Sequence, residues 1–287
     1  MRAIGVNPVD WKMRSGGPIR LAYRFVGPSG PLVVGIDFAG EVIEADPAAD
    51  LKPGARVVGA TDFSRKQLGS YADEVVVRDD QCAALPDSVS FEDAACLPIP
   101  GATALRAFAV SSLAAVPRRD AKVLVLGASG GVGLVTLQLA RGMGARTVGV
   151  CSARNVALVE RQGATAIDYT KGDPLDAARA HGPFDLILHA VGSSAYPLPA
   201  CRSLLTPRGR VALVVVRPAD WPTLLFGGNV KAVLGRPNRS TLEPLVAAMV
   251  KGELSALIEK RLPLSSAEEA HAISQAGKVV GKLLLIP

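Results

Sequence analysis

Cysteine is scarce and dispersed. Four occur in 287 residues, at Cys82, Cys96, Cys151 and Cys201, and none forms a CxxC pair or a zinc-ribbon pattern with another. This excludes a disulfide scaffold as the basis of the fold. Aromatics make up only 5% of the chain, which leaves little for base stacking. The net charge is +6, but the basic residues are scattered, so an enzyme for anionic ligands fits better than a nucleic-acid binder, and no nucleic-acid partner is expected. Long apolar runs are also missing. The longest, such as Val211 to Val216, have the length of a strand, so no membrane span is expected. No basic stretch followed by an apolar segment opens the chain, which makes a cytoplasmic location the simplest reading.

What is present is enough apolar material, 49% of the chain, for two ordinary domains. Residues 1–92 read as short strands with Gly and Pro at the corners, among them Val33 to Ile43, the turn and strand Lys52 to Gly59, and Gly69 to Val77. Near Ser90 the period changes. Ser90-Phe91-Glu92-Asp93 has the form of a capping box, with Asp93 in place of the preferred Glu. An alanine-rich helical stretch interrupted by Pro98 and Pro100 follows, then a helix from Thr103 to Leu113.

From Ala121 strands and helices alternate. Lys122 to Leu126, Thr147 to Cys151, Thr165 to Asp168, Phe184 to His189 and Arg210 to Val216 read as strands with helices between them. That alternation implies an α/β fold with a Rossmann doubly wound parallel sheet. The expected division is 1–92, 93–235 and 236–287. The last segment should return to the first domain, because its terminal strand, Lys282 to Ile286, needs a sheet to join.

The central feature is Gly127-Ala128-Ser129-Gly130-Gly131-Val132-Gly133, placed after one predicted strand and at the start of a helix. In a dinucleotide fingerprint the glycines serve a tight turn, close approach of backbone to pyrophosphate, and close helix packing. Gly130 and Gly133 fill the second and third roles, and Ala128 stands in place of the first glycine. The amides that open the helix would face the diphosphate. The second strand ends Gly149-Val150-Cys151-Ser152-Ala153-Arg154, with no carboxylate to hold ribose hydroxyls. Ser152 and Arg154 suit the extra phosphate of NADPH instead, and Tyr169 is a further candidate for that phosphate or the adenosine.

Several stretches together resemble the medium-chain dehydrogenase/reductase superfamily, specifically its zinc-independent quinone oxidoreductase-like group. They are Gly5 to Gly16, Gly35-Ile36-Asp37-Phe38-Ala39-Gly40-Glu41-Val42, Lys52 to Val57, Gly69 to Asp73, the Ala128 to Gly133 loop with Gly144-Ala145, and Gly281-Lys282-Leu283. The resemblance runs over essentially the whole chain. It implies a GroES-like β-rich catalytic domain beside the Rossmann domain, NADPH-dependent reduction of quinones, enones, alkenals or enoyl thioesters, and assembly as a homodimer. It also implies that the loop carrying Asn7 lies near the nicotinamide and that Thr103 lies near the cofactor. Relative to the group the chain begins almost inside the first motif, so the β-rich domain is expected to be N-terminally shortened. A start further upstream is the preferred explanation, ahead of a truly short protein or a decayed paralogue.

Zinc relatives carry Cys near the position of Asn7 and Gly-His-Glu where Gly35-Ile36-Asp37 stands here. His181, His189 and His271 have no partnering Cys or His at ligand spacing, so no metal is expected. Without one, hydride transfer to a conjugated carbonyl needs a donor for the negative charge that develops on its oxygen. Asn7, Lys12 and Tyr23 are the candidates, and Asp10 is expected to brace the turn rather than transfer protons. An enoyl-thioester reductase, with Arg236 and Arg239 facing an acyl carrier, and a non-catalytic NADPH-binding paralogue are the alternatives.

Overall fold

A computed structural model describes residues 1–16, 20, 21, 24, 25, 27–111, 113 and 120–287. The chain divides into two compact units, Met1–Ala102 with Arg236–Pro287, and Thr103–Gly235.

The first unit contains a six-stranded sheet. Its strands are β1 (Ala3–Val6), β2 (Asp37–Glu41), β3 (Arg56–Ala60) and β4 (Cys82–Ala84), joined by β11 (Ile258–Pro263) and β12 (Lys282–Ile286) from the C-terminal segment. The order is β11-β12-β1-β2-β3-β4. The tail therefore does return. β12 pairs antiparallel with β1, Gly5 opposite Leu284, and parallel with β11. Helix α1 (Pro8–Ser15) starts with proline at its first position, where no amide is needed.

Helix α2 (Phe91–Ala95) is capped as its sequence predicts. Ser90 Oγ accepts from the Asp93 amide at 3.0 Å and donates to Asp93 Oδ2 at 2.7 Å. It sends Ala94 and Ala95 into the core with Ala3, Ala39 and Leu284. Residues up to Ala102 thus belong with the first unit rather than with the Rossmann half.

Two local expectations are corrected. Gly69 to Val77 forms no strand. The amides of Gly69 and Tyr71 instead donate to the carbonyls of Val33 and Val34, a loop-to-loop pairing without a ladder. The expected interruption before Pro98 is present, since α2 ends at Ala95 and Cys96 and Leu97 are not helical, but the second helix, α3 (Pro98–Val110), begins at Pro98 rather than at Thr103, because its prolines occupy the first turn, whose amides have no intrahelical acceptor.

The second unit is a fully parallel sheet. Its elements are β5 (Lys122–Leu126), α4 (Gly131–Gly142), β6 (Arg146–Cys151), α5 (Val156–Arg161), β7 (Thr165–Asp168), α6 (Pro174–Arg179), β8 (Phe184–His189), α7 (Leu198–Arg202), β9 (Leu205–Leu213), α8 (Trp221–Phe226) and β10 (Val230–Ala232). The order is β10-β9-β8-β5-β6-β7, so the chain runs outward from β5 in one direction and later in the other. Both faces are covered. Val123, Val125 and Leu186 enter one core cluster, and Leu124, Leu126 and Ile187 the other. This is why β5 reads as an unbroken apolar run rather than an alternating one. Each such fully buried aliphatic side chain contributes about 1.5–3 kcal/mol.

Helix α9 (Arg239–Val250) buries Leu242, Leu245 and Val246 in the first unit, and α10 (Ala267–Gln275) buries Ala270 and His271. No described helix is long and apolar enough to cross a membrane.

Candidate dinucleotide site and buried polar network

The Rossmann unit places its glycine-rich loop where the strand order reverses, at the carboxyl end of β5, which has β6 on one side and β8 on the other. Gly127 leaves the strand at φ 90°, a conformation that favours glycine. Ala128 is fully buried, and its amide donates to the Val150 carbonyl at 3.0 Å, locking the loop to β6. Gly133 permits the close packing, since a Cβ there would lie 2.2 Å from the Gly127 carbonyl oxygen. A Cβ on Gly130 would meet only that same oxygen, at 3.6 Å, leaving open space above the helix start. The first bond of the helix runs from the Leu134 amide to the Gly130 carbonyl at 2.9 Å, and no side chain caps α4. The amides of Gly131, Val132 and Gly133 therefore have no intrahelical acceptor. An open cradle and an uncapped helix start fit a dinucleotide diphosphate, and no acid stands at the end of β6 to oppose a phosphate on the ribose.

The other sequence-predicted nucleotide residues fall into two groups. Ser129 and Ser152, at the ends of neighbouring strands, are partly exposed and are brought together by a residue that sequence reading missed. Asn155, 8% exposed, donates from Nδ2 to Ser129 Oγ at 3.0 Å and to Ser152 Oγ at 3.3 Å. Arg154 is exposed, and so is Tyr169 after β7. Thr103 is buried on α3. The loops after β8 and β9 are tied together by Ser193, whose Oγ donates to Asp220 Oδ1 (2.5 Å) and accepts from Arg217 Nη2 (2.7 Å). His189 is fully buried, and its Nε2 lies 2.9 Å from the Tyr196 carbonyl. Burial holds its pKa below the ordinary value, which favours the neutral ring.

In the first unit Asn7 stands at the head of α1. Asparagine before a helix usually caps it with its side chain. Here the roles are reversed, because Asp10 Oδ2 accepts from the Asn7 backbone amide at 2.7 Å. The Asn7 side chain is turned inward. Its Nδ2 donates to Asp37 Oδ2 at 2.9 Å and its Oδ1 accepts from Lys282 Nζ at 2.7 Å. Lys282 also reaches Asp37 Oδ2 at 3.3 Å, and the Ile99 amide donates to Asp37 Oδ1 at 2.9 Å. Asn7 is 3% exposed, with both polar ends engaged.

The network continues outward. Tyr71 OH donates to Asp10 Oδ2 at 3.3 Å, and His271 Nε2 lies 3.2 Å from Tyr71 OH. Burial pushes the Asp10 carboxyl up to about 7, opposed by the Asn7 amide and reinforced by the neighbouring Asp37. Burial also raises Asp37, against the pull of the Lys282 ammonium.

Lys12 is half-buried on α1. Its Nζ lies 5.5 Å from the centre of the Trp11 ring, and burial lowers its pKa. Tyr23 lies outside the described residues. Sequence reading quoted Asp37 and Lys282 only as family marks. A stronger signal was available: a charge at the head of an otherwise apolar strand, as in Lys282-Leu283-Leu284-Leu285-Ile286, requires a partner once buried.

Two further expectations meet the structure here. Among the described residues no group of His, Cys, Asp or Glu is arranged to hold a metal ion. The cysteines are separate buried thiols, with Cys82, Cys96 and Cys201 pushed up to about 12 by burial. Arg239 does not face outward toward an acyl carrier. It bridges Asp50 (2.5 Å) and Asp79 (2.6 Å), and its Nε donates to the Cys82 carbonyl at 3.2 Å.

Residues 1–87 match the alcohol dehydrogenase GroES-like domain family, and residues 162–285 match the zinc-binding dehydrogenase family. The quinone oxidoreductase of Mus musculus is 31% identical over 306 residues, covering all of this chain and 87% of the mouse protein. The trans-enoyl reductase of Aspergillus terreus is 30% identical over 312 residues, covering 99% and 84%. The solved quinone oxidoreductase of Coxiella burnetii superposes with a TM-score of 0.88 at 27% identity, covering 100% and 88%.

Proposed function

Because the chain belongs to the medium-chain dehydrogenase/reductase superfamily, in its quinone oxidoreductase-like group, we propose that it is an NADPH-dependent oxidoreductase that passes hydride to a quinone or α,β-unsaturated carbonyl without a metal. The observation that carries this reading is the uncapped start of α4, packed against β5 through Gly133 and open above Gly130. The bound nicotinamide supplies the hydride.

This chain's own residues bind and orient. The amides from Gly131 to Gly133 take the diphosphate, with Ala128 and Ser129 shaping the turn. Ser152 and Arg154 take the 2′-phosphate as hydrogen-bond donors, a role that a carboxylate at the end of β6 would oppose. Tyr169 covers the adenosine side, and Thr103 lines the cofactor. In the other unit Lys12 is assigned as the donor for negative charge on the substrate oxygen. It is half-buried with a weakened hold on its proton. Asn7, engaged at both polar ends, holds the turn that carries α1 rather than reaching the substrate itself. The dispersion of the four cysteines, none of them grouped with other ligand-type side chains among the described residues, supports the metal-free part of the reading.

One observation favours a second reading, reduction of an enoyl thioester: the likeness to the trans-enoyl reductase. The internal engagement of Arg239 weighs against an acyl-carrier dock there. The deciding experiment is NADPH oxidation by the purified protein with quinones, enals, enones and enoyl thioesters, and NADH as control. Turnover with quinones or enones is expected. Turnover confined to enoyl thioesters would establish the second reading, and tight NADPH binding with no turnover would make the protein a binding paralogue. Assembly as a homodimer and a cytoplasmic location belong to the same proposal, and light scattering and fractionation test them.

A further inference from the structure

Asn155 has no role in the reading above, yet it is the side chain that joins the two phosphate-facing loops. It sits in the 3-10 turn Ala153–Asn155 that follows β6, and its own amide is fixed to the Ser152 carbonyl at 2.8 Å. The strands on either side are in register, Leu126 beside Val150, so Ser129 and Ser152 emerge on the same edge of the sheet. A carboxamide nitrogen carries two protons. Here the two nearest acceptors are the two serine oxygens, at 3.0 and 3.3 Å.

The consequence follows from hydroxyl chemistry. Each serine oxygen has one proton and two lone pairs. When Asn155 donates to a lone pair, the serine's own proton is left to point elsewhere. A phosphate oxygen in its dianionic form accepts and does not donate, so hydroxyls arranged in this way match an anion. We propose that Asn155 is a positioning residue of the dinucleotide site. In this role it sets both serine hydroxyls as outward donors, Ser129 toward the diphosphate and Ser152 toward the 2′-phosphate. The inference rests on the NADPH reading and deepens it. Preference for NADPH over NADH then depends on the polarity of one buried amide as well as on the charge of Arg154. An aspartate at this position would reverse that polarity, because it would accept from both hydroxyls and add a negative charge.

The test is calorimetric titration of NADPH and of NADH into the full-length protein and its Asn155→Ala and Asn155→Asp variants. The same titrations are made with Ser129→Ala/Ser152→Ala, with and without Asn155→Ala. Asn155→Ala is expected to weaken NADPH by about five- to tenfold, at 1.4 kcal/mol per tenfold, and NADH by less. Asn155→Asp, of nearly the same shape, should weaken NADPH further and narrow the NADPH-to-NADH ratio. In the background lacking both serines, Asn155→Ala should add less than about twofold, because the groups it acts through are gone.

An effect of equal size in that background overturns the proposal, since the residue would then act only on packing. Should Asn155→Ala not fold, Asn155→Asp decides, and wild-type affinity in that variant overturns the proposal. A wild type that binds NADPH while the variants match it overturns this inference alone. A wild type that binds neither nucleotide overturns it together with the NADPH reading.

Discussion

Lys282 and Asp37 form an ion pair across the β-rich sheet, Nζ to Oδ2 3.3 Å, with side chains 7% and 0% exposed. They are neighbours because β12, at the end of the chain, pairs with β1, and β1 with β2. Asn7 completes the arrangement by binding one partner with each end of its amide. Charges this deeply buried persist only while paired and hydrogen-bonded.

Removing one partner should therefore be costly. Lys282→Met leaves the Asp37 carboxylate without its cation, and we expect a loss of about 3–5 kcal/mol in urea unfolding. The double variant Lys282→Met/Asp37→Asn should recover part of that loss. An unfolding midpoint for Lys282→Met equal to wild type would show that the pair is not buried in solution.

Asp10 makes a pH prediction. Its folded pKa is about 7, raised by burial from 3.8. Below about pH 4 both folded and unfolded states hold the proton. Between 4 and 7 the unfolded chain ionises first, so stability falls as pH rises and then levels off. The decline attributable to this one group is on the order of 4 kcal/mol. Asp10→Asn should flatten the stability profile over that window. A variant whose profile still tracks wild type would assign the slope to another group.

The glycine-rich loop offers a pair of substitutions with different causes. Gly133→Ala puts a Cβ 2.2 Å from a backbone oxygen, so the helix must shift. A lower melting temperature and NADPH binding weakened by more than about tenfold are expected. Gly130→Ala meets nothing closer than 3.6 Å and should melt as wild type without nucleotide. It should still weaken NADPH about tenfold, because its methyl enters the space assigned to the diphosphate. Unchanged affinity in Gly130→Ala would remove the diphosphate from that position.

Arg154→Glu tests cofactor choice. Replacing a cation with an acid at the end of β6 should weaken NADPH by about ten- to a hundredfold, with little change for NADH. Equal loss for both nucleotides would mean that Arg154 does not meet the 2′-phosphate.

Much of this was legible from local pattern. The strands Thr165–Asp168 and Lys282–Ile286 were read from sequence with the bounds they have in the structure. Their apolar runs and flanking turn residues are short-range signals. The Ser90 cap likewise depends on a bond across three residues. Gly69 to Val77 failed for the opposite reason, because whether a β-prone segment becomes a strand depends on which distant segment offers its backbone. The break before Pro98 was legible, because the residue before a proline is pushed out of the helical region, but the next helix was placed too late, because proline is tolerated in a first turn.

By itself the sequence determined the parallel Rossmann half, the glycine cradle and the absence of an acid after β6, since each is written in neighbouring residues. Only the tertiary structure decided that Asn7 turns inward to Asp37 and Lys282 rather than capping its helix, and that one asparagine holds two serines from different loops. Those choices join residues up to 275 positions apart. A buried charge takes whatever partner the sheet places beside it, and sequence spacing does not record which strand that is.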